Sequence, residues 1–308
     1  MKVVTLVGGV GGAKLAYGLA QVLPPEDLTI VVNTGDDTWM YGLRVCPDLD
    51  TIMYTLSGLV DKVNGWGVAG DTTQTLEALR QYGEDAWFRL GDRDMATHIL
   101  RTRWLNAGFR LTQVTERLTK NLGIHQRILP MTDAPVATML DTVEHGELDF
   151  QSYFVKYRWQ PTVKRLWLKG VEKADVSDEV RDALTQADAL IIGPSNPWLS
   201  IDPILRIPGL KELLLERDIP RVAISPIVGG QAIKGPAAKL MTELGYSPSA
   251  QSVAGYYGDA LNGYVFDQSD GDLVIQLPQV TKFETIMKSD KDKEDLARSV
   301  LQWIQGWM

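Results

Sequence analysis

Three aspartates bracket one short apolar segment: Asp48 and Asp50, within Cys46-Pro47-Asp48-Leu49-Asp50-Thr51, precede Ile52 to Val60, and Asp61 follows it. Short acids favour the first turn of a helix, yet three of them around one segment exceed what capping requires. Two uncompensated charges about 4 Å apart cost on the order of 4 kcal/mol at an effective dielectric of 20. Carboxylates converging near a phosphate therefore imply a cation between them. Mg2+ is the natural one, because it takes oxygen ligands and shares them with substrate phosphates. A second cluster suggests the phosphate. Gly8, Gly9, Gly11 and Gly12 precede Lys14, and glycines let backbone N–H groups at a helix N-terminus reach phosphate oxygens, with the lysine adding a full positive charge.

The glycines match no named fingerprint. A dinucleotide fold wants G-x-G-x-x-G, but Lys14 stands at the third glycine position after Gly9 and Gly11; a Walker loop wants Gly-Lys-Ser/Thr, but Ala13 and Leu15 flank the lysine. The reading stops at a phosphate cradle and names neither NAD nor ATP. A tight turn needed only for helix-on-sheet packing is the competing account.

The elements that must position these residues follow from hydrophobic patterning. Val3 to Val7 is a β-branched run suited to a strand buried on both faces. A helix from about Ala13, with the stripe Leu15, Leu19 and Val22, follows the glycines. Leu28 to Val32 is a second buried strand ending in Asn33-Thr34-Gly35-Asp36-Asp37. In a doubly wound sheet, residues just beyond strand ends line the ligand crevice, so Asn33 and Asp36 should lie beside the glycines, although an acid here also suits a cap or turn. Ala189 to Ile192 ends in Gly193-Pro194-Ser195-Asn196-Pro197, and Val222 to Ile224 ends in Ser225-Pro226-Ile227-Val228-Gly229-Gly230; Lys234-Gly235-Pro236 then opens another helix. Four strands ending in small polar turns make a crevice whose backbone can approach a nucleotide or phosphate. The expected fold class is α/β, Rossmann-like, with a mostly parallel sheet flanked by helices.

Between strands, Asp71 to about Gly123 carries three helices in a row, the first opened by the capping-box spacing Asp71-Thr72-Thr73-Gln74. This breaks the βαβ alternation. It reads as a helical insertion, a candidate lid, within a single domain of residues 1–308. Ser177 caps a short helix to about Gln186, and Ser289 to Met308 forms an amphipathic closing helix. His98 stands at helical spacing after GDRDMAT, while His125 and His145 lie in turn-like contexts without a ligand pattern.

Composition bounds the function classes. The 308 residues are 44% apolar, enough for a sizeable core. A net charge of −8 without a basic cluster argues against sequence-independent nucleic-acid binding. The single Cys46 excludes an intramolecular disulfide and fits a reducing cytoplasm. No apolar run long enough for a membrane span and no signal-peptide pattern occurs. No G-x-S-x-G elbow appears.

LVGGVGGAKL, NTGDD, CPDLDT, LGDRDMATH, GPSNP and SPIVGG, in this order and spacing, resemble the 2-phospho-L-lactate transferase family of deazaflavin coenzyme F-420 biosynthesis. PDLDT together with GDRD-x-ATH carries the specificity, and the resemblance spans roughly Met1 to Pro278. It implies transfer of a phospho-three-carbon acid from a GDP-activated donor to the ribityl hydroxyl of the acceptor 7,8-didemethyl-8-hydroxy-5-deazariboflavin, with Mg2+ required and GMP released, in a homodimer. Carried onto this chain, Asp50 contacts the deazaflavin near the metal, Arg89 binds the deazaflavin, and Asp61 matches an acid of the metal site. Asp50 and Asp61 are thus the expected catalytic and metal-holding acids. The glycine loop (Gly9, Gly11, Gly12, with Lys14), GPSNP (Ser195, Asn196) and SPIVGG (Ser225, Gly229) would hold the guanine nucleotide. Trp39 and Trp66 flank the acidic segment and suit either stacking on the ring or core packing. A regulatory sugar-nucleotide-binding protein of the same superfamily is the alternative, but it would not need PDLDT or the GDRD helix. The donor acid, among phospholactate, phosphoenolpyruvate and 3-phosphoglycerate, is left open.

Overall fold

The computed structural model describes residues 1–232 and 235–308; Lys234, read as part of a helix opening, lies outside the described residues. Among these, seven strands form one sheet: β1 (Val3–Val7), β2 (Leu28–Val32), β3 (Arg127–Pro130), β4 (Ala189–Ile192), β5 (Arg221–Ile224), β6 (Gly263–Asp267) and β7 (Gln279–Phe283). Their spatial order is β3-β2-β1-β4-β5-β6-β7 and every pairing is parallel. This is the doubly wound order, and the winding reverses between β1 and β4, the point where such sheets bind ligands. The Rossmann-like α/β expectation holds. β3, β6 and β7 extend the sheet beyond the four strands read from sequence; β7, QVTKF, is a half-buried edge without a continuous apolar run.

Period-two alternation explains why both faces are covered. Val3 and Val7 of β1 point into one helical layer, and Val4 and Leu6 into the other. The first layer contains α1 (Gly9–Val22), α2 (Pro47–Leu56) and the closing helix Asp290–Gln305, whose Leu296, Val300 and Ile304 are buried there. Leu15 and Leu19 of α1 are fully buried in it; truncating either to alanine would cost about 2–5 kcal/mol. The second layer holds helix Asp178–Gln186, capped by Ser177 as read, and a small antiparallel sheet of strands Ala137–Thr142, Gly146–Asp149 and Val163–Lys169.

The stretch read as one helical insertion divides in two. α3 (Gln74–Gln81) and the start of α4 (Asp92–Asn106) enclose a small core of their own, formed by Val45, Leu76, Ala86, Phe88, Leu90 and Met95. α5 (Leu111–Asn121) instead buries Leu111, Val114 and Leu118 in the main core beside Ile128 of β3, so it is an ordinary crossover helix of the sheet. The capping differs too. The Asp92 carboxylate accepts from the amides of Gln74 and Thr75, both at 2.9 Å, while Asp71 accepts from the amides of Arg93 at 2.9 Å and Asp94 at 3.0 Å. Each helix is capped from the other's leading turn, which fixes the start of α4 against the loop that precedes α3. The hydrogen bond from Thr72, with those of the capped amides, holds the Asp92 carboxyl below its usual range. Among the described residues no helix is long and apolar enough to cross a membrane.

Candidate active site

The glycine segment is less of a loop than its composition suggests. α1 begins at Gly9, not near Ala13, so Gly9 to Gly12 are its first turn. Glycine is a poor helix former, and packing is what overrides it. A Cβ on Gly12 would lie 2.6 Å from Ser195 Oγ and 2.7 Å from Val7 Cβ, so this position must be bare for the turn after β4 to close on β1. Ser195 completes the closure: its hydroxyl donates to Gly8 O at 2.8 Å and accepts from Gly8 N at 3.1 Å. Gly9 serves differently. Its φ of +63° is a left-handed conformation that favours glycine, and it turns the chain so that its amide meets Asp48 Oδ1 at 2.7 Å. First-turn amides have no partner inside a helix, and Val10 and Gly11 line the cavity that opens here.

That cavity, about 610 Å3, lies at the carboxyl ends of β1 and β4. The size suits a small-molecule site. The turns after β1 and β4 and the first turn of α2 form one part of its lining. Phe88, Arg89 and Leu90, from the small helical core, form another. A third part is aromatic: Phe150 and Phe154 stack with ring centres 5.2 Å apart and planes 14° from parallel, and Trp66 and Trp159 join them. Lys14 donates to Met287 O at 2.6 Å, which tethers its charge at the cavity.

The acids fall into two groups. In one, the Asn33 side-chain amide donates to Asp36 Oδ1 at 2.9 Å and to Asp48 Oδ2 at 3.0 Å. Asp37 pairs with Arg44 at 3.0 Å. Burial pushes the Asp48 carboxyl up to about 6 against the opposing bonds from Asn33 and Gly9. Burial likewise raises Asp37 to about 6 despite Arg44. Asp36 is raised well above the ordinary range by burial, with the charges of Asp48 and Asp37 adding to it. In the other group, Arg101 makes a forked pair with Asp50, Nη1 reaching Oδ2 at 3.1 Å and Nη2 bonding Oδ1. His98 lies between acids, with Nδ1 3.6 Å from Asp50 Oδ2 and Nε2 3.2 Å from Asp94 Oδ1. The Tyr54 hydroxyl donates to Asp94 at 2.6 Å. Burial works against the Asp94 charge, but His98 and Tyr54 outweigh it and hold that carboxyl below its usual value. Tyr54 itself is raised, first by burial and then by the charges of Asp50 and Asp94, so it remains a donor.

Of the residues expected at the site, Gly9, Gly11, Lys14 and Asp36 line the cavity, as do Asp50, Arg89, Ser195 and Asn196. Gly12 and Asn33 lie beneath it as packing and as the amide shared by two acids. Ser225 is buried, its hydroxyl donating to Ile227 O at 2.9 Å, and Gly229 sits in a β-turn where its amide meets Asp270. Asp61 does not line the cavity: its carboxylate closes its own turn, accepting from Val63 N at 2.8 Å and Asn64 Nδ2 at 2.9 Å. The structure therefore does not bring Asp50 and Asp61 to a common point; a short acid followed by Lys-Val-Asn satisfies itself locally. Among the described residues no three His, Cys, Asp or Glu side chains are grouped as a metal site. Trp66 lines the cavity and Trp39, 55% exposed, does not. His98 lines it too. Sequence reasoning weighed Asp48 with the other two acids but gave it no role, and passed over Tyr54, Asp94 and the Phe150 to Trp159 wall; the density of aromatics in Phe150-Gln151-Ser152-Tyr153-Phe154-Val155-Lys156-Tyr157-Arg158-Trp159 was the available signal.

Comparison with known proteins finds similar chains over nearly the whole length. A family model described as 2-phospho-L-lactate transferase CofD matches residues 3–303. The 2-phospho-L-lactate transferase of Methanosarcina mazei is 40% identical over 299 residues, covering 96% of this chain and 98% of that protein. The phosphoenolpyruvate transferase of Streptomyces griseus is 42% identical over 279 residues, covering 89% of this chain and 88% of that protein. In fold alone, the crystal structure of a UPF0052 family member from Bacillus halodurans superposes with a TM-score of 0.63 at 14% identity, over 97% of this chain and 98% of that one.

Proposed function

The chain belongs to the 2-phospho-L-lactate transferase CofD family, and from that membership we propose that it transfers a phospho-three-carbon acid from a GDP-activated donor to the ribityl hydroxyl of 7,8-didemethyl-8-hydroxy-5-deazariboflavin, releasing GMP, in coenzyme F-420 biosynthesis. The observation that carries this reading is a single cavity lined both by a helix N-terminus and by a flat aromatic wall, at the point where the sheet winding reverses. The first feature suits a diphosphate and the second a planar ring.

The reaction is a displacement at phosphorus. The ribityl oxygen forms the new P–O bond, the bond to the GMP oxygen breaks, and the hydroxyl proton leaves to a carboxylate at the cavity. Catalysis of this kind is mostly positioning and charge neutralisation. The first-turn amides of α1 and the tethered Lys14 stabilise the departing GMP phosphate, and Arg89 adds positive charge elsewhere on the lining. The residues also fit Mg2+. Among the described residues, Asp36 and Asp48 carry buried carboxylates that receive bonds from neutral donors only, and Mg2+ commonly takes one or two carboxylates with substrate phosphates completing its shell. Asp48 and Asp36 would hold it, with Asp50, whose two oxygens are engaged by Arg101, beside them and Asp61 apart. When bound, the ion supplies charge that offsets the diphosphate.

The relatives' names divide between two donors, so the test offers all three. Purified protein is incubated with the deazaflavin, Mg2+ and each guanylylated acid, and products are identified by mass. The expected result is a phosphodiester of the deazaflavin with one donor preferred, and GMP in equal amount. Folded protein that forms no product with any donor overturns the reading.

A further inference from the structure

The α4 residues Asp94, His98 and Arg101 are spaced i, i+4 and i+7, which puts them on one face of the helix. Arg101 and His98 face Asp50 on the first turn of α2, and Asp94 meets Tyr54 farther along the same helix. Arg101 is 1% exposed and absent from the cavity lining, so it touches no substrate; what it touches is Asp50, whose carboxylate does line the cavity. Arg101 Nη1 also lies 3.1 Å from His98 Nδ1. A guanidinium has only donors, so Nδ1 must be the unprotonated nitrogen of the ring. The ring proton then sits on Nε2, which faces Asp94 Oδ1 at 3.2 Å. Tyr54 and Thr97 finish the chain, the Tyr54 hydroxyl reaching Asp94 at 2.6 Å and Thr97 Oγ1 at 2.8 Å.

Two consequences follow from this arrangement. The Nδ1 lone pair of His98 is taken up by Arg101 within the protein, so the neutral ring has none to offer a substrate proton although it borders the cavity. The forked Arg101–Asp50 pair also fixes both carboxylate oxygens in one plane, which a single-point cation would not do. We propose that Arg101 is a positioning residue for the transfer: braced by His98 and, through it, by Asp94, it holds the Asp50 carboxylate in the one orientation that faces the reacting groups. This rests on the transferase reading and on Asp50 acting in the cavity.

The test is steady-state kinetics on Arg101→Lys and Arg101→Met, with thermal melts alongside. Lysine keeps the charge and loses the fork; methionine loses both. The expected order of kcat is wild type, then Arg101→Lys, then Arg101→Met, the last lower by about 100-fold, the scale seen when partners that orient a functional ligand are removed. KM for donor and acceptor stays within threefold. Leu118→Ala, in the main core beneath α5, is the control for lost stability and should leave kcat of the folded protein unchanged. If Arg101→Met does not fold, Arg101→Lys decides, with an expected loss of at least tenfold in kcat. A kcat within threefold of wild type for Arg101→Lys, or a loss confined to KM, overturns the proposal. An inactive wild type would sink the transferase reading instead, and an active wild type with an undiminished Asp50→Asn variant would remove Asp50 from it.

Discussion

Asp48 and Asp50 stand two residues apart on the first turn of α2, equally buried at 5% exposed, and the protein treats their charges in opposite ways. Asp50 is met by the Arg101 guanidinium, and its neighbour Asp94 by the Tyr54 hydroxyl and the Nε2 side of His98. Among the described residues, Asp48 and its neighbour Asp36 receive only amide hydrogens, from Gly9 and Asn33, while Arg44 serves Asp37. Burial accordingly raises the carboxyls of the first cluster, whereas Asp94 in the second is held low. The difference teaches where positive charge is still wanted. One cluster is a finished scaffold, and the other is short of a cation or a proton beside the amides of α1.

Removing an acid from each cluster should expose this most directly. Asp50→Ala leaves the Arg101 guanidinium buried without its anion, and breaking a buried pair from one side costs about 3–5 kcal/mol. Urea unfolding at pH 7 should show that loss, and a change below 1 kcal/mol would mean that the second cluster is not the closed scaffold described.

Asp48→Asn should act with the opposite sign above neutrality. Because the folded Asp48 carboxyl is raised from 3.8 to about 6, its stabilising contribution is complete below about pH 4 and lost as pH rises through 6. The shift of two units is worth roughly 3 kcal/mol, against about 1 kcal/mol for the hydrogen bond from Asn33 that an amide nitrogen would forfeit. The variant should therefore be stabler than wild type by about 2 kcal/mol at pH 8, in metal-free buffer, and less stable by about 1 kcal/mol at pH 4. The same sign applies to Asp37, also raised to about 6. Equal destabilisation at both pH values would break the comparison.

These contrasts were only half legible in the chain. The strands β1, β2, β4 and β5 and their terminal turns follow from local apolar runs and turn chemistry, and so did the meeting of NTGDD with the glycines, since parallel pairing of β1 with β2 puts Asn33 next to Val7. The partner of each acid did not follow. Arg101 lies 51 residues from Asp50, and only the docking of α4 on α2 joins them; by residue type and spacing, apart from the family resemblance, Asp48 and Asp50 are interchangeable. Asp61 attracted attention by spacing, yet its own turn satisfies it. The glycines read as a loop because propensity disfavours them in a helix, and the close approach of Ser195 that reverses this comes from a turn more than 180 residues away. The aromatic wall was missed because it lies on an irregular turn between short strands, where no periodicity marks a face.

A cation should distinguish the clusters next. If Mg2+ enters the side lacking positive charge, it stabilises the folded chain at pH 8, by roughly 1.4 kcal/mol at ten times its dissociation constant. At pH 5 the raised carboxyls hold protons that Mg2+ must displace, so the shift in melting temperature should shrink, and in Asp48→Asn it should shrink at both pH values. A shift that survives in Asp48→Asn but vanishes in Asp50→Asn would assign the ion to Asp50 alone.

The smallest expected effect sharpens the assignment of substrates. If the cation-poor cluster and the α1 amides serve the donor diphosphate, then Trp66, on the aromatic lining, should matter to the acceptor only. Trp66 is 46% exposed, so replacing it with leucine removes little core packing and leaves an apolar surface. What is lost is stacking, worth about 0.5–1 kcal/mol, or a two- to fivefold rise in KM for the deazaflavin. The donor KM and the Mg2+-induced melting shift should not move, because neither depends on a ring contact. A donor KM that rises in step with the acceptor KM would mean that one region serves both substrates, and the division between a charge-poor donor side and a finished scaffold would lose its functional meaning.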